Sequence, residues 1–210
     1  TFSGLNYNLE VQGSGQQTIL IGSQNANGAL LVLDGDSNGD GAGGDYSYIA
    51  HDSSGDMLIA TDNPNGNSDI VFKAGADDEK VRITPAGSVL IGHVSSEHSD
   101  NYQLELSDTG SNSSISLTSI QDNIYASQLS FVKARGSSLG SKTIVQSGDI
   151  LGQFAFYGTD GTNRSLGCTI NVKVDGTPGN DAMPTRIDFA TSPTGSQTVQ
   201  NRLRLRSSGR

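Results

Sequence analysis

The loop from Asp34 to Asp45 carries oxygen donors in an order suited to a hard metal ion. Its oxygen-bearing side chains stand at loop positions one, three, five, seven and twelve: Asp34, Asp36, Asn38, Asp40 and Asp45. Gly39 at position six permits the sharp turn that lets alternate side chains converge. Because Ca²⁺ takes about six to eight oxygen ligands, this spacing predicts a candidate calcium loop. We expect no other cofactor.

The same loop also fits a connection that needs no metal. Asp45 replaces the longer glutamate that usually supplies two oxygens at position twelve, and the flanking runs "GALLVL" and "DYSYIA" have strand patterns. No helix is indicated on either side, so the loop is not an EF-hand. Asp-Gly and Asn-Gly pairs favour hairpin turns by themselves. The loop is therefore either a calcium-loaded connection or a glycine-rich hairpin end, and turn chemistry alone accounts for the glycines.

The composition provides little material for the core of a single compact chain. Of 210 residues, 27 are glycine, 33% are hydrophobic, 6% are aromatic and none is tryptophan. Ordering the backbone costs about 1 to 2 kcal/mol per residue, which buried apolar area must offset. A folded form is therefore expected to share its core with partner chains.

The apolar residues are gathered in short alternating runs, which predict strands rather than disorder or helices. The runs are bounded by Gly, Asn, Asp and Ser. They are "TILIG", "DIVFK", "VRI", "SVLIG", "QLEL", "SISL", "QLSFV", "LGQFAFYG", "TINVKV", "RIDFAT" and "RLRLR". The sequence thus predicts an all-β fold.

The charge pattern excludes several classes of partner. A net charge of −9 and a pI near 4.6 argue against nucleic-acid binding, which needs a basic face. The arginines of "RLRLR", Arg202, Arg204 and Arg206, share one strand face, which we interpret as solvated rather than as an anion site. No membrane insertion is expected, since no apolar run is long enough. The single cysteine, Cys168, lies among apolar residues and is expected to be a small core side chain.

The chain contains two similar halves. "DIVFKAGADDEKVRITPAG" and "RIDFATSPTGSQTVQNRLRLRSSG" both place an Ile-x-Phe strand before a strand with a central arginine and then a glycine. "GDMLIATDNPNGN" and "GDILGQFAFYGTDGTN" form a second, looser pair. We therefore predict two tandem β modules, residues 1–94 and 102–210, joined by "HVSSEHSDN".

The sequence resembles the recurrent modules of bacteriophage tail fibres and tailspikes. The resemblance is most specific over 129–209, from "LSFVKARGSS" through "GDILGQFAFYG" to "RLRLRSSG", and the first module shares a basic strand followed by a Gly-bearing turn and an "IG" pair. It implies an elongated all-β fibre segment in the virion tail, assembled as an intertwined homotrimer. In that family an endosialidase-type intramolecular chaperone often follows, and none is present within these 210 residues. A further strand is expected after Arg210, and the 210-residue chain expressed alone is expected to fold poorly.

The resemblance also implies a receptor-binding role. Exposed loops at residues 34–46, 62–68 and 158–164, presented in three copies, would contact a host surface glycan or protein, while the fibre joins other tail proteins. Multivalent contact raises apparent affinity by about 10² to 10⁴. The expected contact residues are Tyr46, Tyr48, Tyr157, Asp160 and Asn163.

Two alternatives remain open from the sequence. A tailspike glycan depolymerase would need a pair of carboxylates across a sugar, but Asp149, Asp160 and Asp175 all lie in turn contexts, so we expect no enzymatic activity. The other alternative is a purely structural shaft without receptor contact.

Overall fold

Paired β-strands form all the regular structure that a computed structural model of the chain describes. The described residues are 13–23, 28–34, 46–63, 65–96, 102–110 and 113–209, and they contain no helix. Within these ranges there is accordingly no helix that could cross a membrane. The prediction of an all-β fold is confirmed.

The first of two compact units, Thr1–Ser116, begins with a three-stranded antiparallel sheet. Its strands are β1 (Ala29–Asp34), β2 (Tyr46–His51) and β3 (Met57–Thr61), in chain order. Asp34 pairs with Tyr46 in the β1–β2 register. Residues 35–45 therefore connect two antiparallel strands, and no helix flanks them.

A second sheet in the same unit consists of β4 (Ile70–Ala74), β5 (Asp78–Ile83), β6 (Val89–Ile91) and β7 (Leu104–Leu106). β4, β5 and β6 are antiparallel neighbours, whereas β7 runs parallel to β6. Leu90 on β6 is fully buried. Because β7 pairs with β6, residues 102–110 lie in the first unit, and the division between the units falls at Ser116 rather than at the predicted start of the second module at 102.

The second unit, Leu117–Arg210, carries one four-stranded antiparallel sheet. Its strands follow chain order: β8 (Ile150–Thr159), β9 (Arg164–Val174), β10 (Thr185–Thr191) and β11 (Gln200–Leu205). Val174 and Ala190 are buried within this sheet, together with the carboxylate of Asp188. Cys168 is half-buried on β9, opposite Phe156 and Thr191.

The internal similarity of the sequence corresponds to a repeated hairpin. In the first unit Val71 pairs with Arg82, and a β-bulge follows Phe72; in the second unit Asp188 pairs with Arg204, and a bulge follows Phe189. Each arginine strand then leads into a turn closed by a glycine with positive φ, at Gly87 and Gly209. Both units therefore use the same hairpin register, with the arginine at an equivalent place.

Few apolar side chains are buried in the described part of the chain. The buried apolar residues there are Leu90, Val145, Val174 and Ala190. Large apolar side chains remain exposed on each sheet, for example Ile59 on the first, Phe72 on the second and Phe154 on the third. The small core that the composition predicts is thus present, and much of the apolar surface is left uncovered by the chain's own residues.

Candidate functional sites

A polar concave pocket of about 460 Å³ lies between the first sheet and the start of β4. Its volume falls in the range of about 300 to 1,000 Å³ that is usual for small-molecule sites. Side chains that can exchange hydrogen bonds with a ligand line it: Tyr46, Asp62, Asn63, Asn67 and Asp69. Tyr46 is one of the contact residues predicted from the sequence, whereas the other four come from the predicted contact loop and its flank.

The first strand pair sets the position of Tyr46 against Asp62. The Asp62 amide donates a 2.8 Å hydrogen bond to the Tyr46 carbonyl, and the Tyr46 hydroxyl donates to the Asp62 carboxylate. Burial raises the pKa of the Tyr46 phenol, and the neighbouring Asp62 charge raises it further. The phenol therefore stays neutral at physiological pH, with an aromatic face and a hydroxyl at the pocket wall. The rings of Tyr46 and Tyr48 lie 6.1 Å apart between centroids, at 43°.

The loop that follows β3 is braced by its own side chains. Asn63 Nδ2 donates to Ser68 Oγ at 2.9 Å, and Asn63 Oδ1 accepts the Asn65 amide at 2.9 Å. Gly66, at φ 62°, closes a turn by donating to the Asn63 carbonyl. Such bracing lowers the ordering cost of binding, because these hydrogen bonds already restrict the loop before a ligand arrives.

A charge cluster supports the far wall of the pocket. Arg82 bonds Asp69 and also donates to both oxygens of Glu79, at 2.8 and 2.6 Å. The hydrogen bonds from Arg82 hold the pKa of Glu79 below its usual range. Arg82 is thus engaged by two carboxylates, and with Asp62 the acidic groups outnumber the basic ones. The pocket is suited to donors such as hydroxyl groups rather than to anions.

The β8–β9 hairpin brings together the other three predicted contact residues. Asp160 and Asn163 close the turn through a 3.1 Å bond from the Asp160 amide to the Asn163 carbonyl, and Tyr157 lies on the strand that leads into it. The Asp160 carboxylate accepts the amides of Asn163 and Thr162 at 2.7 and 2.9 Å. These bonds hold its pKa below the usual value for Asp. Asp160 therefore shapes the turn.

Tyr157 on this hairpin offers an aromatic surface. Its ring is partly exposed, and the Arg164 guanidinium carbon lies 4.5 Å from the ring centroid. Such a cation–π contact orients the ring, and Tyr157 keeps 45% of its surface exposed. The hairpin is thus a second candidate contact surface, in the second unit.

The candidate calcium loop is described only at its first residue. Asp34 ends β1, and the remaining predicted ligands, Asp36, Asn38, Asp40 and Asp45, lie outside the described residues. Across the described ranges, no group of three or more His, Cys, Asp or Glu side chains is placed to hold a metal ion.

The carboxylates considered for catalysis have structural partners. Asp149 accepts two hydrogen bonds from Arg135, at 2.6 and 2.7 Å, and one from the Gln146 amide. Asp175 accepts the Ser207 amide at 3.1 Å and a 3.2 Å bond from Arg186. These bonds, led by Arg135 for Asp149 and by the Ser207 amide for Asp175, hold both pKa values below the ordinary range.

The interpretation of the arginines of "RLRLR" as a solvated face is wrong for Arg204. Its guanidinium donates to both oxygens of Asp188, a carboxylate with 0% exposure. Arg206 lies 3.7 Å from Asp175, and Arg202 donates to Thr191 Oγ1 at 2.9 Å. The alternation could not show the β-bulge in β11, which brings Arg202 to Thr191, nor that a neighbouring strand brings an acidic partner to Arg204.

Comparison with solved structures identifies the fold. The chain is similar to the carboxy-terminal domain of the bacteriophage T5 L-shaped tail fibre, with 16% identity, a TM-score of 0.53 and coverage of 98% of this chain and 89% of that one. It is also similar to the same T5 domain with its intramolecular chaperone domain, with 16% identity and a TM-score of 0.55; the match covers 98% of this chain and 61% of that one, so this chain spans less than two thirds of that longer chain.

These likenesses confirm the expected resemblance at the level of the fold. No family model matches the sequence, and the search of curated proteins finds no significant match.

Proposed function

We propose that this chain is a structural and receptor-binding segment of a bacteriophage tail fibre, carried in the virion tail as a homotrimer. The observation that carries this role is the shared fold over 98% of the chain with the T5 tail fibre domain. In this role the segment joins other tail proteins and contacts a glycan or protein on the host surface.

The uncovered apolar surface supports the trimer. Ile59, Phe154 and Phe156 lie on strands but remain about half exposed. Every sheet also ends in edge strands, whose unpaired backbone groups invite uncontrolled association unless another chain covers them. Three identical chains would cover these faces and edges in a closed, symmetric assembly.

The two candidate sites support contact with hydroxyl-rich ligands. The pocket at Tyr46 combines an aromatic ring with carboxylate and amide oxygens, and the hairpin at Tyr157 adds a second exposed ring. Aromatic faces cover the apolar side of a sugar ring, while fixed polar groups orient its hydroxyls. Three copies of such weak sites can raise apparent affinity by about 10² to 10⁴.

The electrostatics of the carboxylates favour binding over catalysis. A general acid for glycan cleavage needs a raised pKa, so that it holds a proton near neutral pH. Hydrogen bonds instead lower the pKa values of Asp149, Asp160 and Asp175. Incubation of the protein with host polysaccharide tests this directly: we expect no new reducing ends, and their appearance would favour the depolymerase.

A cell-binding assay on a panel of bacteria tests the receptor role. The assembled protein, fluorescently labelled, should bind some strains, and Asn67→Ala should weaken binding several-fold, because Asn67 lines the pocket. Asn65→Ala is the matched control, since this exposed residue lies in the same loop outside the pocket lining. Asn163→Ala tests the hairpin in the same way.

The outcomes of this assay separate the alternatives. Binding that neither Asn67→Ala nor Asn163→Ala changes would show that the receptor contacts lie elsewhere on the segment. A protein that binds no strain, although the intact fibre binds, would establish the purely structural shaft.

A further inference from the structure

A stretch of the second unit, residues 119–133, has the sequence of a strand but no strand partner. None of its backbone groups bonds to another backbone group in the described part of the chain. The Tyr125 amide donates only to the Asn123 side chain, at 2.9 Å. Backbone N–H and C=O groups nearly always find partners in folded proteins, so this 119–133 segment is incomplete in the single chain.

The apolar side chains of the 119–133 segment are also uncovered. Ile120, Ile124 and Val132 are 93%, 94% and 92% exposed. Leu129 and Phe131 alternate with polar residues in the period-two pattern of a strand with one covered face. An isolated segment would gain nothing from this pattern, whereas a paired strand would bury one of its faces.

One end of the segment is anchored beside an open sheet edge. The Phe131 ring packs edge-on against Phe154 of β8, with 5.4 Å between centroids and 84° between planes. Gly152 of β8 makes room for it, because a Cβ there would lie 2.8 Å from the Phe131 Cβ. β8 is an edge strand, and Phe156 beside this contact is half exposed. The surroundings of the segment therefore offer further apolar surface for a chain that packs there.

We infer that the 119–133 segment becomes a β-strand only in the assembled fibre, by pairing with a second copy of this chain. This inference rests on the homotrimer proposed above. Charge favours an identical copy: the whole chain carries −9, but the segment carries only Asp122 and Lys133, so its net charge is zero. Copies of a chain with this net charge can approach one another at this segment without like-charge repulsion from the segment itself. Pairing would satisfy the open backbone groups and cover Ile120 or Ile124 in one step.

Hydrogen exchange on the assembled protein tests this pairing without any substitution. The amides of 119–133 should exchange about 100-fold or more slowly than in an unstructured peptide, as the amides of β9 should too. Light scattering on the same sample fixes the number of chains. A trimer whose 119–133 amides exchange at unstructured rates would overturn the pairing but leave the trimer standing. A folded monomer would overturn both.

A pair of matched variants tests the contribution of the side chains. Ile124→Asp should abolish the trimer or reduce it severalfold, because a charge would enter the interface between copies. Leu139→Asp is the control: Leu139 is also fully exposed in the single chain, but its turn is closed by a bond from the Ser141 amide to the Ser138 carbonyl. The Leu139→Asp protein should remain trimeric. An Ile124→Asp protein with the mass and Tm of the unmodified protein would contradict the inference.

Discussion

Arg204 stands directly opposite Asp188 in the β10–β11 pair and bonds both oxygens of its buried carboxylate. The Nε–Oδ1 distance is 2.6 Å and the Nη2–Oδ2 distance is 3.0 Å. Arg186 and Lys173 approach the same carboxylate, at 3.4 and 3.7 Å. A charge that is fully removed from water is thus compensated from three strands of one sheet. The equivalent arginine in the first unit, Arg82, has no acid directly opposite and uses Asp69 and Glu79 instead.

Removal of the Arg204 side-chain charge should destabilise the second unit. We expect Arg204→Met to lower the free energy of unfolding by about 3 kcal/mol, at the lower end of the cost of breaking a buried pair because Arg186 remains. Arg202→Met is the control, since Arg202 lies on the same strand but bonds only the Thr191 hydroxyl. Chemical denaturation of both variants measures their free energies of unfolding. Equal losses in the two variants would show that the Asp188 pair has no special role.

Acid should weaken the fold through the same carboxylate. The hydrogen bonds from Arg204, followed by those from Arg186, hold the pKa of Asp188 below its usual value. A group with a lowered folded-state pKa contributes stability that is present above its unfolded pKa of about 3.9 and is lost as the pH falls through the folded value. Tm should therefore fall as the pH drops below about 4, and less steeply in Asp188→Asn. An identical acid dependence in this variant would contradict the assignment.

The contact between Phe131 and β8 should be sensitive to a single added methyl group. In Gly152→Ala the new Cβ would lie 2.8 and 2.9 Å from the Cβ and Cγ of Phe131, so the ring must shift. We expect a loss of about 1 to 3 kcal/mol, the usual cost of overpacking. Gly158→Ala on the same strand meets nothing within 4 Å and should cost little. Thermal melts of the two variants that coincide would show that the contact contributes nothing.

The 34–45 loop is expected to behave as a hairpin connection. β1 and β2 pair up to Asp34 and Tyr46, so a turn is required there whether or not a metal is bound. Melting curves in calcium and in chelator should coincide. A higher Tm in calcium that disappears in Asp36→Ala or Asp40→Ala would instead establish the calcium site, because a ligand that binds only the folded state raises its stability.

The sequence predicts strands well where the partner strand belongs to the same chain. "DIVFK", "TINVKV" and "RIDFAT" lie in strands because hairpin neighbours supply their hydrogen bonds. "TILIG", "SISL" and "QLSFV" have equally clear alternation, yet none is a strand in the described chain. Alternation predicts which face of a strand is buried. It does not predict whether the neighbouring strand belongs to the same chain or to another chain.

The two candidate sites also differ in how far the sequence could predict them. Tyr157, Asp160 and Asn163 are close in sequence and meet in one hairpin, so local turn chemistry was enough to group them. Asn67 and Asp69, which line the pocket together with Tyr46, come from the segment between β3 and β4. No spacing rule links those positions to Tyr46, because the course of the segment after β3 brings them together.

The mass of the folded protein in solution tests the central claim of a trimeric fibre segment most directly. Multi-angle light scattering should give three times the 21.8 kDa chain mass for material with a β-rich circular dichroism spectrum. Such an assembly would take the exposed apolar residues of all three sheets out of water. A single, well-folded species of 21.8 kDa would contradict the account.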